Sequence, residues 1–130
     1  YAFAHMMRAR ILSDMERDQE ALDAINIALE INPEYALGYA VRADIHKWLG
    51  EYELSLADID KSLEIIPDNL FALESRVLTH YYFDYYTDAI EAAEYILADI
   101  DPENTFILDE LAESYRVIGA CEEAIATAEK

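Results

Sequence analysis

Two histidines, His46 and His80, stand 34 residues apart, and Asp99, Asp101, Glu103 and Glu110 occupy the first, third, fifth and twelfth places of one span. Imidazoles bind transition metals and carboxylates so spaced ligate calcium, so both sets invite a metal. The 34-residue interval, however, recurs along the chain as a structural repeat. Corresponding residues of neighbouring packed helices sit about 8–10 Å apart, against about 2 Å for a metal–nitrogen bond. His46 and His80 therefore cannot share an ion and are expected to pack, as is His5. Pro102 interrupts the carboxylate span, and Asn104 stands where a calcium loop requires glycine. Cys121 falls at a helix start, where a thiol's pKa is lowered. Its column holds Asp18, Tyr52 and Tyr86 in the other repeats, so a bystander thiol is expected. No Gly-x-Ser-x-Gly turn is present, and the scattered Gly38, Gly50 and Gly119 cannot cradle a phosphate. The residues thus predict no catalytic group, no metal and no cofactor.

What would position any site is the repeat itself. Pro33, Pro67 and Pro102 fall 34 and 35 residues apart, each after a stretch of the Ala/Ser/Ile-Leu-x-x-Ile kind. A fixed period of this size predicts a stacked array in which each unit buries its apolar face against its neighbours, and the product is an extended surface suited to binding. Apolar residues recur at helical spacing, as in Ala21, Leu22, Ile25, Ala28, Leu29 and in Leu56, Ile59, Leu63. With 54% hydrophobic residues and only three Gly and three Pro among 130, the chain reads as one all-helical core rather than as disorder.

The net charge of −19, from 28 acidic against 9 basic residues, argues against a nucleic-acid groove, which is built from Lys and Arg facing phosphates. An anionic membrane surface would repel the chain for the same reason. Two uses of the acidity stay open: solvated outer faces that maintain solubility, or steering of a basic partner. A single cysteine excludes an intrachain disulfide and favours a reducing, cytoplasmic compartment. There is neither a basic-plus-apolar leader nor a run of 18 apolar residues, so no signal peptide or membrane span is expected in this piece. The sequence opens on Tyr1 and stops at Lys130 inside an expected helix, which predicts a fragment of a longer protein.

Superposing the units gives columns. Small or short residues recur at Ala9, Ala43, Val77, Ala112 and at Ala21, Ser55, Ala89, Ala124, where they would let two helices approach closely. Large ones at His5, Tyr39, Leu73, Leu108 and at Leu12, His46, His80, Tyr115 would fill the space between, with Ile25, Ile59, Ala93, Ala128 completing the interface. Arg8, Arg42 and Arg76 keep the same spacing. Each unit breaks at Glu16, Gly50, Asp84 or Gly119, where a tight turn calls for left-handed backbone that Gly tolerates, Asp less comfortably and Glu worst. The pattern predicts helix pairs at 2–15 with 18–31, 36–49 with 52–65, 70–83 with 86–100, and 105–118 with 121–130. Asp68, Asn69, Asn104 and Thr105 are available as caps. One extra residue between Leu97 and Ile100 should lengthen or bulge its helix.

These columns resemble the tetratricopeptide repeat, TPR. The second unit carries Tyr39, Ala43, Trp48-Leu49-Gly50-Glu51-Tyr52, Ile59, Ser62-Leu63 and Pro67, and the fourth Leu111-Ala112, Tyr115, Gly119 and Ala124. The resemblance covers the whole chain and implies an all-α fold, helix-turn-helix repeats stacked as a right-handed α-solenoid. It would be a single array over 1–130 with units about 2–35, 36–69, 70–104 and a truncated 105–130. In that family the first helices line a concave groove. Carried over, this places Phe3, Leu37, Phe71 and Phe106 in one row, then Met6, Ala40, Glu74 and Asp109. Arg10, Asp44, Leu78 and Glu113 follow, then Ser13, Lys47, Tyr81 and Arg116, with Trp48 and Tyr82 beyond. Two readings of the Phe row remain open, burial in the stack or contact with a ligand, while Trp48, Tyr81 and Tyr82 are expected in the groove or at the surface. In the turn Tyr81-Tyr82-Phe83-Asp84-Tyr85-Tyr86 at least one tyrosine should be exposed.

A subset of the family grips chaperone C-termini through Lys and Asn on first helices. Asn26, Asn32, Asn69 and Asn104 all fall in second helices or links, so that clamp is missing. The resemblance then implies a protein–protein interaction module, not an enzyme, presenting an aromatic and apolar groove to a protein or peptide, a basic or amphipathic segment being suited to it. Two alternatives stand beside it: the regulatory or substrate-docking arm of a larger enzyme, and self-association as a homodimer through uncapped array ends.

Overall fold

The computed structural model describes residues 1–119 and 121–129, apart from the side chains of 121–124. Among the described residues the only regular elements are helices: α1 (Ala2–Asp14), α2 (Asp18–Ile31), α3 (Ala36–Trp48), α4 (Tyr52–Ile65), α5 (Leu70–Tyr82), α6 (Tyr86–Tyr95) with a π-helical extension Ile96–Ile100, α7 (Thr105–Val117) and α8 (Cys121–Ala128). These are the helix pairs the apolar periodicity predicts. First helices stop one residue early because Met15, Leu49 and Ile118 serve as half-helical C-caps.

The turns explain why the chain reverses where it does. Glu16, Gly50, Asp84 and Gly119 all have left-handed backbone, with φ of 59°, 79°, 68° and 85°. Around Glu16 the Arg17 N–H donates to the Leu12 carbonyl (2.9 Å) and the Glu16 N–H to that of Ser13 (2.9 Å). The same pair of bonds recurs at Glu51 to His46 with Gly50 to Lys47, and at Tyr85 to His80 with Asp84 to Tyr81. This is the Schellman arrangement, which satisfies otherwise orphaned helix carbonyls and calls for a residue free to adopt positive φ. Left-handed backbone costs a side chain about 1–2 kcal/mol, partly offset by the roughly 0.5–1 kcal/mol of extra chain entropy that a glycine loses on folding. Glu16→Gly should therefore raise the unfolding free energy by about 0.5–1 kcal/mol. Gly50→Ala should lower it by about 1 kcal/mol, from backbone strain alone, since nothing lies within 4 Å of an added Cβ. Urea midpoints measure both; midpoints unmoved from wild type would contradict the turn assignment.

The links are equally explicit. The Asn69 side chain accepts from the Ala72 N–H (3.3 Å) and that of Asn104 from the Ile107 N–H (3.0 Å), so both cap first helices. The extra residue of the third repeat is absorbed without a loop: Ile96–Ile100 is π-helical, and the Asp101 N–H reaches the Ile96 carbonyl at 2.8 Å. An i to i+5 bond is how a helix accommodates one surplus residue.

The chain divides into two compact units, Tyr1–Ala72 and Leu73–Lys130. In the first, Met6, Ala9 and Leu12 of α1, Ala21, Ala24, Ile25, Ala28 and Leu29 of α2, and Val41 and Ile45 of α3 form the core. Ala9, Ala21, Ala43 and Ser55 are fully buried, as helices in close contact require. Buried serines use backbone partners: Ser55 Oγ donates to the Ala43 carbonyl (2.9 Å) and Ser62 Oγ to that of Ala36 (2.7 Å). In the second unit Val77, Ala89, Ala93, Ile96, Ile107 and Leu111 are buried. Ala112 is only half-buried and Ala128 is exposed, a correction to their core columns: no later helix among the described residues covers this end. The Cys121 and Ala124 side chains lie outside the described residues.

Candidate partner-binding groove

On a helix, residues four apart share a face. Arg10 and Asp14 of α1, with Val41, Ile45, Asp44 and Trp48 of α3, are three such pairs. Together with Ser13 and with Phe71 at the start of α5, they line a cleft of about 150 Å³ in the first unit. A wider hollow of about 500 Å³ beside it is bounded by Ser13, Asp14, Glu16, Asp18 and Trp48. The structure thus brings together Arg10, Ser13, Asp44, Trp48 and Phe71 from the expected rows. Val41 and Ile45 form an apolar floor that the sequence reading did not assign. It also missed Asp14, although Asp14 stands 34 residues before Trp48 and so shares its row.

Trp48 is 52% exposed. The Lys47 ammonium lies 4.5 Å from the centroid of its ring and 3.5 Å from the Asp44 carboxylate. Two expected groove residues are corrected here. Met6 is 1% exposed and belongs to the core, as does its row-mate Ala40; Met6 packs in the cluster that holds Ala21, Ala24, Ile25 and Ala28 of α2. Lys47 is 4% exposed: its long stem is covered and its charge faces its own helix.

The Phe row divides. Leu37 and Phe71 are partly buried against the core of the first unit. Phe3, 62% exposed, and Phe106 are surface residues. Phe3 opens the first helix, and no earlier element among the described residues shields it.

In the second unit the expected residues form polar chains more than a pocket. Tyr81 Oη donates to Glu113 (3.4 Å), and Glu113 also accepts from Arg116 Nε (2.8 Å). The Arg116 guanidinium beside Glu113 holds that carboxyl below the usual range, chiefly by hydrogen bonding. Glu74 accepts from Asn104 Nδ2 (2.9 Å). Leu78 and Tyr81 are half-buried, whereas Asp109, Arg116 and Tyr82 are exposed. Tyr81 and Tyr86 meet edge to face at 5.4 Å, and Tyr82 meets Phe83 at 5.1 Å. Tyr82 and Tyr85 provide the exposed tyrosines expected of this turn.

Behind the groove lies a polar network absent from the sequence reading. Arg42 donates from Nε and Nη2 to the two Asp58 oxygens (2.8 and 2.7 Å) and from Nη1 to Asn26 Oδ1 (3.0 Å). Its guanidinium also sits 5.4 Å from the Tyr39 ring centroid. The Asp58 hydrogen bond raises the Arg42 pKa. His46, buried, has Nδ1 3.2 Å from Glu51 and Nε2 3.5 Å from Asp58. It is a packing histidine, as expected. For His80, burial pushes the pKa down. Among the described residues no three His, Cys, Asp or Glu converge as metal ligands, and no helix is long and apolar enough to cross a membrane.

No protein-family model matches the chain. Over 76 residues it is 38% identical to the Protein SGT1 homolog of Homo sapiens, an alignment that covers 58% of this chain and 21% of that protein. The chain thus spans about a fifth of the length of the SGT1 relatives it matches. Among solved structures, a tetratricopeptide repeat protein from Parabacteroides merdae superposes with a TM-score of 0.86 at 21% identity, over 99% of this chain and 50% of that one. The first TPR of Spaghetti (RPAP3), bound to the HSP90 peptide SRMEEVD, superposes with a TM-score of 0.80 at 15% identity, over 90% and 94%.

Proposed function

We infer from the tetratricopeptide-repeat fold, which this chain has, that it serves as a protein-interaction module, receiving a peptide or protein segment on its first helices without chemistry of its own. One observation carries this reading: Trp48, half-exposed, stands in a cleft whose walls come from the first helices α1 and α3. A large ring in a concave, partly apolar site is the usual form of a binding hot spot. The RPAP3 domain of similar fold is bound to a peptide, which supports the same use of the fold here. The face bearing Leu78, Tyr81, Tyr82, Glu113 and Arg116 is proposed as a second contact region.

The anchor chemistry differs from a Lys and Asn clamp. Lys47 is buried, Asn26 accepts from Arg42, and Asn69 and Asn104 cap helices. None of the four Asn lies in α1, α3, α5 or α7.

Trp48→Ala in the full-length protein is expected to weaken capture of its partner by about ten-fold or more, the effect of losing a hot-spot ring. Helical circular dichroism should stay near wild type, because the ring is exposed. Equal losses of helicity and capture would instead make Trp48 a structural residue.

A further inference from the structure

Around the Trp48 cleft and its adjoining hollow, carboxylates outnumber cations. Asp14 and Asp44 line the cleft itself, and Glu16 and Asp18 extend the acidic margin into the adjoining hollow. The cations nearby are Arg10, which lines the cleft one turn before Asp14 on α1, and Lys47, already held between Asp44 and the indole. Beneath lie the apolar surfaces of Val41, Ile45 and Phe71. Carboxylates above an aromatic and aliphatic floor fit one kind of side chain: a long aliphatic stem ending in a cation. The chain's net charge of −19 would draw such a group in from solution.

Resting on the reading of this cleft as the binding groove, we propose that it receives a lysine or arginine side chain of a basic segment in the partner. The stem packs against Trp48 and Phe71, and the charged head is held by Asp14 and Asp44. The cleft selects against acidic tails such as SRMEEVD, the peptide held by the RPAP3 domain of the same fold. The groove therefore prefers a charge opposite to that of the peptide this neighbour holds, and the preference is written in the α1 and α3 carboxylates.

Trp48 is the sole tryptophan, so its emission reports on this cleft alone. The full chain is titrated with a capped ten-residue peptide of lysine, leucine and alanine, with its counterpart carrying glutamate for lysine, and with SRMEEVD. The lysine peptide should shift Trp48 emission and saturate at least about five-fold tighter than either acidic peptide at low salt, the effect of roughly one favourable charge pair. That preference should shrink as salt is added. The doubly substituted Asp14→Asn, Glu16→Gln chain should lose most of it with unchanged helicity; both residues are exposed and outside the core. Equal or tighter binding of an acidic peptide overturns the cationic specificity and leaves the groove itself standing. No change in Trp48 emission with any of the three peptides overturns both the specificity and the groove reading at this cleft.

Discussion

Met6→Ala should lower the stability of the first unit by about 3 kcal/mol, within the usual cost of truncating a buried methionine. Met6 is 1% exposed among Ala9, Leu12 and Ile25, so its loss leaves a cavity that these neighbours cannot fill. Because α1 packs on α2 and α3 at one end of the first unit, the damage should surface first as local release of α1, seen as faster amide exchange along Ala2–Asp14. Phe3→Ala, at an exposed position on the same helix, should change stability by less than about 0.5 kcal/mol. Similar small effects of both substitutions on urea unfolding and exchange would return Met6 to the groove.

Arg42→Met is expected to cost about 2–3 kcal/mol. Removing one partner of a fully buried pair costs about 3–5 kcal/mol, and Arg42 here keeps 26% side-chain exposure. Most of the penalty falls on Asp58, whose side chain is 8% exposed and would lose both guanidinium hydrogen bonds. Replacing both, Arg42→Met with Asp58→Leu, should recover most of the loss, since the orphaned carboxylate is then gone. Additive losses in that double variant, measured by urea unfolding, would show that the two side chains act independently.

How much of this was legible beforehand depended on the range of the interaction. The left-handed turns at Glu16, Gly50, Asp84 and Gly119 are decided within a few residues, so spacing alone located all four. The π-helical insertion at Ile96–Ile100 was visible as a count, because a repeat with a surplus residue must place it somewhere. Cap residues Asn69 and Asn104 were legible for the same local reason.

Interactions between helices were less so. The recurrence of Arg8, Arg42 and Arg76 was plain, but the acceptor that gives Arg42 its role, Asp58, is replaced in the corresponding places by Ala24 and Ala92. A repeat averages away such singular partners. Met6 was misplaced because the family resemblance assigns its whole row, Met6, Ala40, Glu74 and Asp109, to the groove. The structure buries Met6 and Ala40, half-buries Glu74 and exposes Asp109, so burial changes along a row that sequence treats as uniform. Asp14 was missed although it shares the Trp48 row, since an acid aligned with a tryptophan carries no shared property to notice.

The most direct test of the groove is amide chemical-shift mapping of the labelled chain against the partner captured by the full-length protein. Shifts should concentrate at Arg10, Ser13, Asp14, Asp44, Trp48 and Phe71. Shifts concentrated instead on the outer faces of α2 and α4, at residues such as Asp23, Glu30, Glu53 and Asp60, would contradict it.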